Sequence, residues 1–409
     1  MDRDEREIPF FILPQARGLQ TKMKGGRIVS KLTVVWEGPI GRKSGTGIAS
    51  REYVHALRRQ GVNVKVGAAK HRKVLPDGAH RPLIYHHTAD TIQFGKLRPY
   101  YKPIILNTVW ETTRIPKRWR ANINKFDAVF IPSLQNKRAL RASGVKVPIY
   151  VVPHGVHTKK YRPGTKKLSL SEAKGRFVFV SVFGFQHRKN PEALLRAYWE
   201  QFSAKDKVLL VIKTSGYSSS ETEQWIKNKI SSYKKKLGIV KQTAPIVVIA
   251  RHISERQVAG IYTLGNAFVL PTRGEGVGLP FLEALASGTP VIATGWGGHM
   301  DFLSKRNSFL VNYKLVNPSS RMNGKHAISR SFRHLFAESG QQWAEADIGS
   351  LKRQMKYAYD HPWLCKKKGR QGLRDVRKLT WGSSGAAMKR AVNQIVGKGS
   401  GIESGIKLQ

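Results

Sequence analysis

Short apolar runs rich in Val, Ile and Phe recur along the chain, and longer segments of helical character separate them. "KLTVVW" (31–36) has the pattern of a buried strand. The loop "EGPIGRKSGTG" follows, then a helical "IASREYVHALRRQG" that stops at Gly61. "VNVKVGA", "PLIYHH", "PIILNTVW", "FDAVFIPS" and "PIYVVPHG" continue as strands, with loops and helices between them. Such βα alternation predicts a parallel, doubly wound sheet. The polar "YRPGTKKLSLSEAKGR" (161–176) breaks the series and reads as a linker.

The alternation then restarts. "FVFVSVFG" leads to "NPEALLRAYWEQF", "KVLLVIKTSG" to "TEQWIKNKISSYKKKL", and "PIVVIAR" to "SERQVAGIYTLG"; "AFVLPT" leads to "LPFLEALASG", and "TPVIAT" completes the set. Two α/β halves with a cleft between them are expected. The expected organisation is an extension at 1–26 with no clear period, a first Rossmann-like domain at 27–165 and a second at 166–380. A closing helix and tail at 381–409, including "SSGAAMKRAVNQIV", is a candidate to return to the first domain.

Composition narrows the setting. At 409 residues, two domains of about 200 residues each are comfortable. The 72 Lys and Arg against 26 Asp and Glu leave a formal charge of +46, a surface that attracts nucleic acid, phosphate-containing wall polymer or anionic lipid headgroups. Cys365 is the only cysteine, so no intramolecular disulfide forms, which suits a reducing cytosol. The apolar run "IPFFIL" is too short for a signal-peptide core, and nothing approaches the ~20 apolar residues of a membrane-spanning helix. A cytoplasmic protein, with any membrane contact peripheral at the inner face, is the expectation. The 13 histidines are scattered, and the pairs His86–His87 and His154 with His157 have no partnered carboxylate cluster, so no metal site is expected.

The chemistry concentrates in "PTRGEGVGLPFLEALASGTPVIATGWGGHMDFL" (271–303). "RGEGVGL" is a loop at the carboxyl end of the strand "AFVLPT", where ligands bind in doubly wound sheets. Gly274, Gly276 and Gly278 let successive backbone amides face an anion beside a helix N-terminus; Pro280 suits the start of that helix and Gly288 its end. Glu275 sits in the loop and Glu283 about one turn into the helix, where a carboxylate can accept hydrogen bonds from vicinal hydroxyls. A second loop, in "SVFGFQHRKNPEALLRAY", places Gly184 after a strand and Arg188 and Lys189 before a helix. Those two cations can neutralise a diphosphate.

The string "GEGVGLPFLEALASGTPVIAT…GG" resembles the donor-site motif of the retaining GT-B glycosyltransferases of family four. The resemblance covers the whole second half and, more loosely, the first. It implies a GT-B fold, two doubly wound Rossmann-like domains facing across a cleft. It implies a metal-independent transferase without a cofactor, whose substrate is a nucleotide sugar such as a UDP- or GDP-sugar. Glu275 would hold the transferred sugar, Glu283 the nucleotide ribose, and the amides of Gly276, Val277, Gly278 and Leu279 the phosphate and sugar. Arg188 and Lys189 would bind the diphosphate. Phe185 stands where the family commonly has Arg directly after the glycine, so the "RKN" variant of the motif carries that role here.

In the first half, the resembled fold brings the loop with Gly45, Thr46 and Gly47 towards the donor phosphates. "LNTVWETTRIPKRW" resembles a subgroup with Trp-Glu in place of a histidine, which makes Trp110 and Glu111 candidates for the sugar and acceptor site; His87, ending "PLIYHH", is another. Asp301 stands where the family usually has Glu. The expected activity is retaining sugar transfer to an acceptor hydroxyl in cell-surface glycan synthesis, with an anionic or membrane-proximal acceptor. The charge keeps two others open: transfer to modified DNA, and a polyanion-binding protein whose GT-B scaffold has lost catalysis.

Overall fold

The computed structural model describes residues 32–42, 44–76, 79–322, 327–329, 332–336 and 338–399. The extension at 1–26 and the tail beyond 399 lie outside them.

Six parallel strands form the first sheet: β1 (Thr33–Glu37), β2 (Asn63–Val66), β3 (Leu83–Tyr85), β4 (Ile104–Asn107), β5 (Ala128–Ile131) and β6 (Ile149–Val151), in the order β2-β1-β3-β4-β5-β6. Its helices are α1 (Gly45–Arg59), α2 (Lys117–Ile123) and α3 (Leu134–Ala142). The second sheet, also parallel, holds β7 (Phe177–Val182), β8 (Val208–Lys213), β9 (Ile246–Ile249), β10 (Ala267–Leu270), β11 (Val291–Thr294) and β12 (Ser308–Val311), in the order β12-β11-β10-β7-β8-β9. Between these strands run α4 (Pro191–Gln201), α5 (Glu223–Lys236), α6 (Glu255–Leu264) and α7 (Leu279–Ala286). The α/β, doubly wound class expected from the alternation is borne out, because both sheets are covered by helices and their central strands are fully buried.

Local chemistry sets the helix ends. Ser254 and Gln257 form a reciprocal capping box on α6. Asn190, in the left-handed region at φ 58°, caps α4 through Ala193 N–H. One boundary differs from the pattern reading: α1 begins at Gly45 rather than after the glycines. The Ser44 hydroxyl accepts from Gly47 N–H and starts the helix there, despite two glycines in its first turn.

Beyond β11 the chain does what the alternation did not suggest. After β12, the antiparallel pair β13 (Tyr313–Val316) and β14 (Trp343–Ala346) brackets an excursion with the short α8 (Pro318–Met322). Met322, Phe336 and Trp343 from this excursion pack with Trp110 and Trp119 under the first sheet. The helices α9 (Ile348–Asp360) and α10 (Pro362–Val376) then cover the second sheet. Finally α11 (Trp381–Gly399) crosses back to the first, where Met388 and Val392 join Trp36, Tyr53 and Leu57 in one core. A Cβ on Gly385 would lie 2.7 Å from Ala56, so glycine allows α1 and α11 to touch.

Candidate active site

In the second sheet the chain order reverses between β7 and β10, and such a switch point opens a crevice at the carboxyl ends of the strands. The two loops that leave there carry Arg188 with Lys189 and Glu275. They are stitched together: Arg273 N–H donates to Arg188 O at 2.8 Å, the Thr272 hydroxyl donates to the same oxygen at 3.1 Å, and Arg188 Nη1 donates to Gly274 O at 2.5 Å.

Four charged groups converge. Lys189 Nζ donates to Glu275 Oε1, Arg188 Nη1 lies 3.4 Å from Glu275 Oε2, and Arg188 Nη2 lies 3.5 Å from Glu111 Oε1. Glu111 comes from the loop after β4, so the first sheet supplies one member. Lys189 and Glu275 are buried, and neither cation faces solvent away from the glycine loop. Burial alone would raise the Glu275 carboxyl, but the adjacent Lys189 and Arg188 charges outweigh it and hold it at about 2. Burial pushes the Glu111 carboxyl up, against the pull of Arg188 and with added repulsion from Glu275. Glu275 is therefore a fixed anion, and Glu111 is the more readily protonated of the two.

The glycines make this convergence sterically feasible. A Cβ on Gly274 would fall 2.1 Å from Glu111 O, and one on Gly276 would fall 1.8 Å from Val109 Cγ2. Gly278 sits at φ 85° as the N-terminal cap of α7 with no side-chain hydrogen bond; Pro280 has no N–H, and Phe281 N–H donates to Gly278 O at 3.0 Å. Val277 is buried against the second core, and Leu279 is half-buried. From the next loop, Gly298 N–H donates to Glu275 O at 2.7 Å, and its missing Cβ would lie 1.9 Å from Gly276 O.

Glu283 sits apart from this cluster. Its Oε2 accepts from the Tyr262 hydroxyl at 2.6 Å, and Tyr161 also hydrogen-bonds it. Burial raises its carboxyl, with the two tyrosines opposing. Gly184 backs onto Tyr217, whose hydroxyl would be 2.0 Å from a Cβ there and accepts from Gln186 Nε2 at 2.6 Å. Phe185 is buried, ringed with Trp225, which leaves Arg188 and Lys189 as the loop's cations at the cluster.

The remaining first-half residues take other places. Trp110 is in the core, its indole N–H shared between Thr112 Oγ1 and Arg114 O, both at 2.7 Å, and its ring edge-on to Trp119. His87 lies 3.8 Å from Glu37 and against Tyr85. Gly45, Thr46 and Gly47 form the first turn of α1; the Gly47 amide is taken by Ser44, and its missing Cβ would strike Arg42 O at 2.1 Å. Asp301 reaches across to α3, where its Oδ2 accepts from Leu134 N–H at 2.8 Å.

Sequence reasoning missed the support beneath the cluster. Arg273, one residue before the glycine loop, is buried and bonds Glu345 through Nε at 2.7 Å, Glu192 through Nη1 at 3.2 Å, and His187 O. His187 Nδ1 in turn pairs with Glu192 at 2.9 Å. This network ties the Arg188 loop, the Glu275 loop and the hairpin strand β14. Asn136 was also missed; its side chain brackets the Trp110 backbone and reaches Gly276 O at 3.5 Å. The adjacency of Arg273 to the loop, and of Glu192 to the "RKN" run, were the available signals. Among the described residues no group of three His, Cys, Asp or Glu could hold a metal ion.

Two six-stranded parallel sheets whose carboxyl-end loops meet in one charged cluster define a GT-B fold, as the resemblance implied. Residues 174–320 match the family model described as glycosyl transferases group 1. The alpha-monoglucosyldiacylglycerol synthase of Streptococcus pneumoniae is 28% identical over 184 residues, 43% of this chain and 39% of that protein. The chain thus spans about two-fifths of that relative's length. Sucrose-phosphate synthase from Thermosynechococcus elongatus superposes with a TM-score of 0.65 at 15% identity, over 90% of this chain and 100% of that one. Anabaena Alr3699/HepE, solved with UDP and glucose, gives 0.61 at 11% identity over 88% and 99%. These structural likenesses are of fold.

Proposed function

We propose that the protein is a retaining glycosyltransferase that moves a sugar from a nucleotide-sugar donor to an acceptor hydroxyl. The observation that carries this is the meeting of Arg188, Lys189 and Glu275 at the glycine-rich N-terminus of α7. Two cations beside the glycine loop at the positive end of α7 suit a diphosphate whose negative charge grows as it leaves. The C1–O bond to the diphosphate breaks, the acceptor oxygen bonds C1 on the same face, and its proton passes to a donor phosphate oxygen. Glu275 orients the sugar and stabilises the positive charge developing at C1; Glu283 receives the ribose hydroxyls beside Tyr262 and Tyr161. Glu111 and the first-sheet loops border the acceptor side.

The acceptor is read as anionic or membrane-proximal, in cell-surface glycan synthesis. The few acids support this. Several already have partners within the fold: Glu37 with Ala68 N–H, Asp127 with Arg98, Asp301 with Leu134 N–H, and Glu192 and Glu345 with Arg273. The +46 is what remains after all 26 acids are set against the 72 bases. That charge also favours a second reading, transfer to modified DNA. Purified protein incubated with a set of sugar nucleotides should release the nucleotide from one of them. No release from any, with or without lipid or polymer acceptors, would overturn the enzymatic reading.

A further inference from the structure

The outer face of α10 joins a row of cations to an exposed indole. Its inner face is small and close: a Cβ on Gly369 would meet Gly288 O at 2.0 Å, and one on Gly372 would meet Leu285 Cδ2 at 2.4 Å, so the helix lies flush on α7. Its one acid, Asp375, accepts from Asn307 and Gln371. Outward, Lys366, Lys367, Arg370, Arg374 and Arg377 are exposed at helical spacing, a basic stripe. At its start Trp363 is 62% exposed. Nearby, at the end of α9, Tyr357 is 47% exposed and stacks on His361 with ring centroids 4.2 Å apart. From Trp363 to Arg377 the stripe runs roughly 20 Å at the helical rise.

Lys366 and Arg370 also line a cleft of about 260 Å³, whose floor is Ser287, Gly288 and Thr289 at the carboxyl end of α7. Ser287 is only 4% exposed, and its hydroxyl has no hydrogen-bond partner. That hydroxyl is closed off from the cleft, so an anion there would meet the side chains of Lys366 and Arg370. The cleft lies at the opposite end of α7 from the glycine loop, so it is separate from the proposed donor site and independent of that reading.

We propose that this face docks on an anionic phospholipid bilayer, with headgroup phosphates against its row of cations. A stripe of cations attracts the charged surface, and an exposed indole beside a tyrosine matches the half-apolar, half-wet layer at the headgroups.

Flotation of the full chain with vesicles tests this, at about 0.15 M salt. Vesicles of phosphatidylglycerol mixed with phosphatidylcholine should carry the protein, and pure phosphatidylcholine should not. Each cation removed should weaken partitioning about fivefold, so a Lys366→Gln, Arg370→Gln, Arg374→Gln variant falls roughly a hundredfold. Brominated acyl chains should quench the wild type more than Trp363→Phe, a readout that does not depend on the triple variant folding. Equal flotation of wild type and triple variant would overturn the proposal. So would retention on duplex DNA, lost in the triple variant, without flotation; that outcome assigns the face to nucleic acid.

Discussion

Replacing Glu275 by Gln tests the charged cluster most directly, because it keeps the shape and removes one charge. With its carboxyl held at about 2 against an ordinary 4.5, the charged form is favoured by about 2.5 pH units, the net of burial that opposes it and the neighbouring cations that win. At 1.36 kcal/mol per unit, that is about 3 kcal/mol of folding free energy. The group is buried, so solvent screening removes little of it. Because the folded pKa is depressed, this contribution is present above about pH 4.5 and is lost as pH falls through about 2. In Glu275→Gln it is missing at neutral pH, and Lys189 and Arg188 are left buried with one carboxylate fewer. The variant should melt several degrees lower. Nucleoside diphosphate then supplies the missing negative charge, so the rise in melting temperature it causes should be larger in the variant than in wild type. Sugar transfer should fall about 10²–10³-fold, as when one preorganised electrostatic group is removed. Calorimetric melts with and without nucleotide, beside a transfer assay, separate the effects. Normal turnover, or a nucleotide response that shrinks along with activity, would refute the reasoning.

Three other perturbations have defined outcomes. Gly298→Ala forces a methyl to 1.9 Å from Gly276 O, a backbone atom, so the glycine loop must shift; donor KM should rise at least tenfold, while Gly164→Ala, with nothing within 4 Å, should behave as wild type. Arg273→Met leaves Glu192 and Glu345 without their shared cation and should cost about 3–5 kcal/mol in denaturant melts; a loss under about 1 kcal/mol would show that the network carries little. His86 and His154 are lowered by burial to about 3 and about 4, so the unfolded chain protonates them first, near pH 6.5. Stability is then full above that pH, and each of the two should take about 1.4 kcal/mol per pH unit from it between roughly pH 6 and 4, with His187 and His299, also lowered by burial, adding to the fall. His154→Phe, between the rings of Tyr53 and Trp381, should reduce the slope by about 1.4 kcal/mol per pH unit, and a flat wild-type profile would contradict the assignment.

The legible parts of the fold share one property: their signal is local. A buried strand such as Val291–Thr294 and a capped helix such as Glu255–Leu264 are set by neighbours a few residues away, so period and capping residues suffice. The glycine loop was legible for the same reason, since its strand, glycines and helix start are contiguous. Trp110 shows the limit. Its place beside Glu111 suggested the cleft, yet its indole turns into a core completed by Phe336 and Trp343, more than 200 residues away. Nothing near Trp110 in the chain announces them.

The amino-acid order alone set the alternation of two βα series, the glycine-rich turn before α7, the pair Arg188 and Lys189 before α4, and a surplus of positive charge. Which charges meet was left to the packing of distant segments. Glu111 reaches Arg188 from another sheet, Arg273 joins Glu192 and Glu345 below the loops, and Glu283 turns to two tyrosines instead of to Glu275. Short-range backbone preferences act between neighbours in sequence, whereas Coulomb and hydrogen-bond energies depend on distance in space, which is set once both sheets, the excursion and α11 have packed.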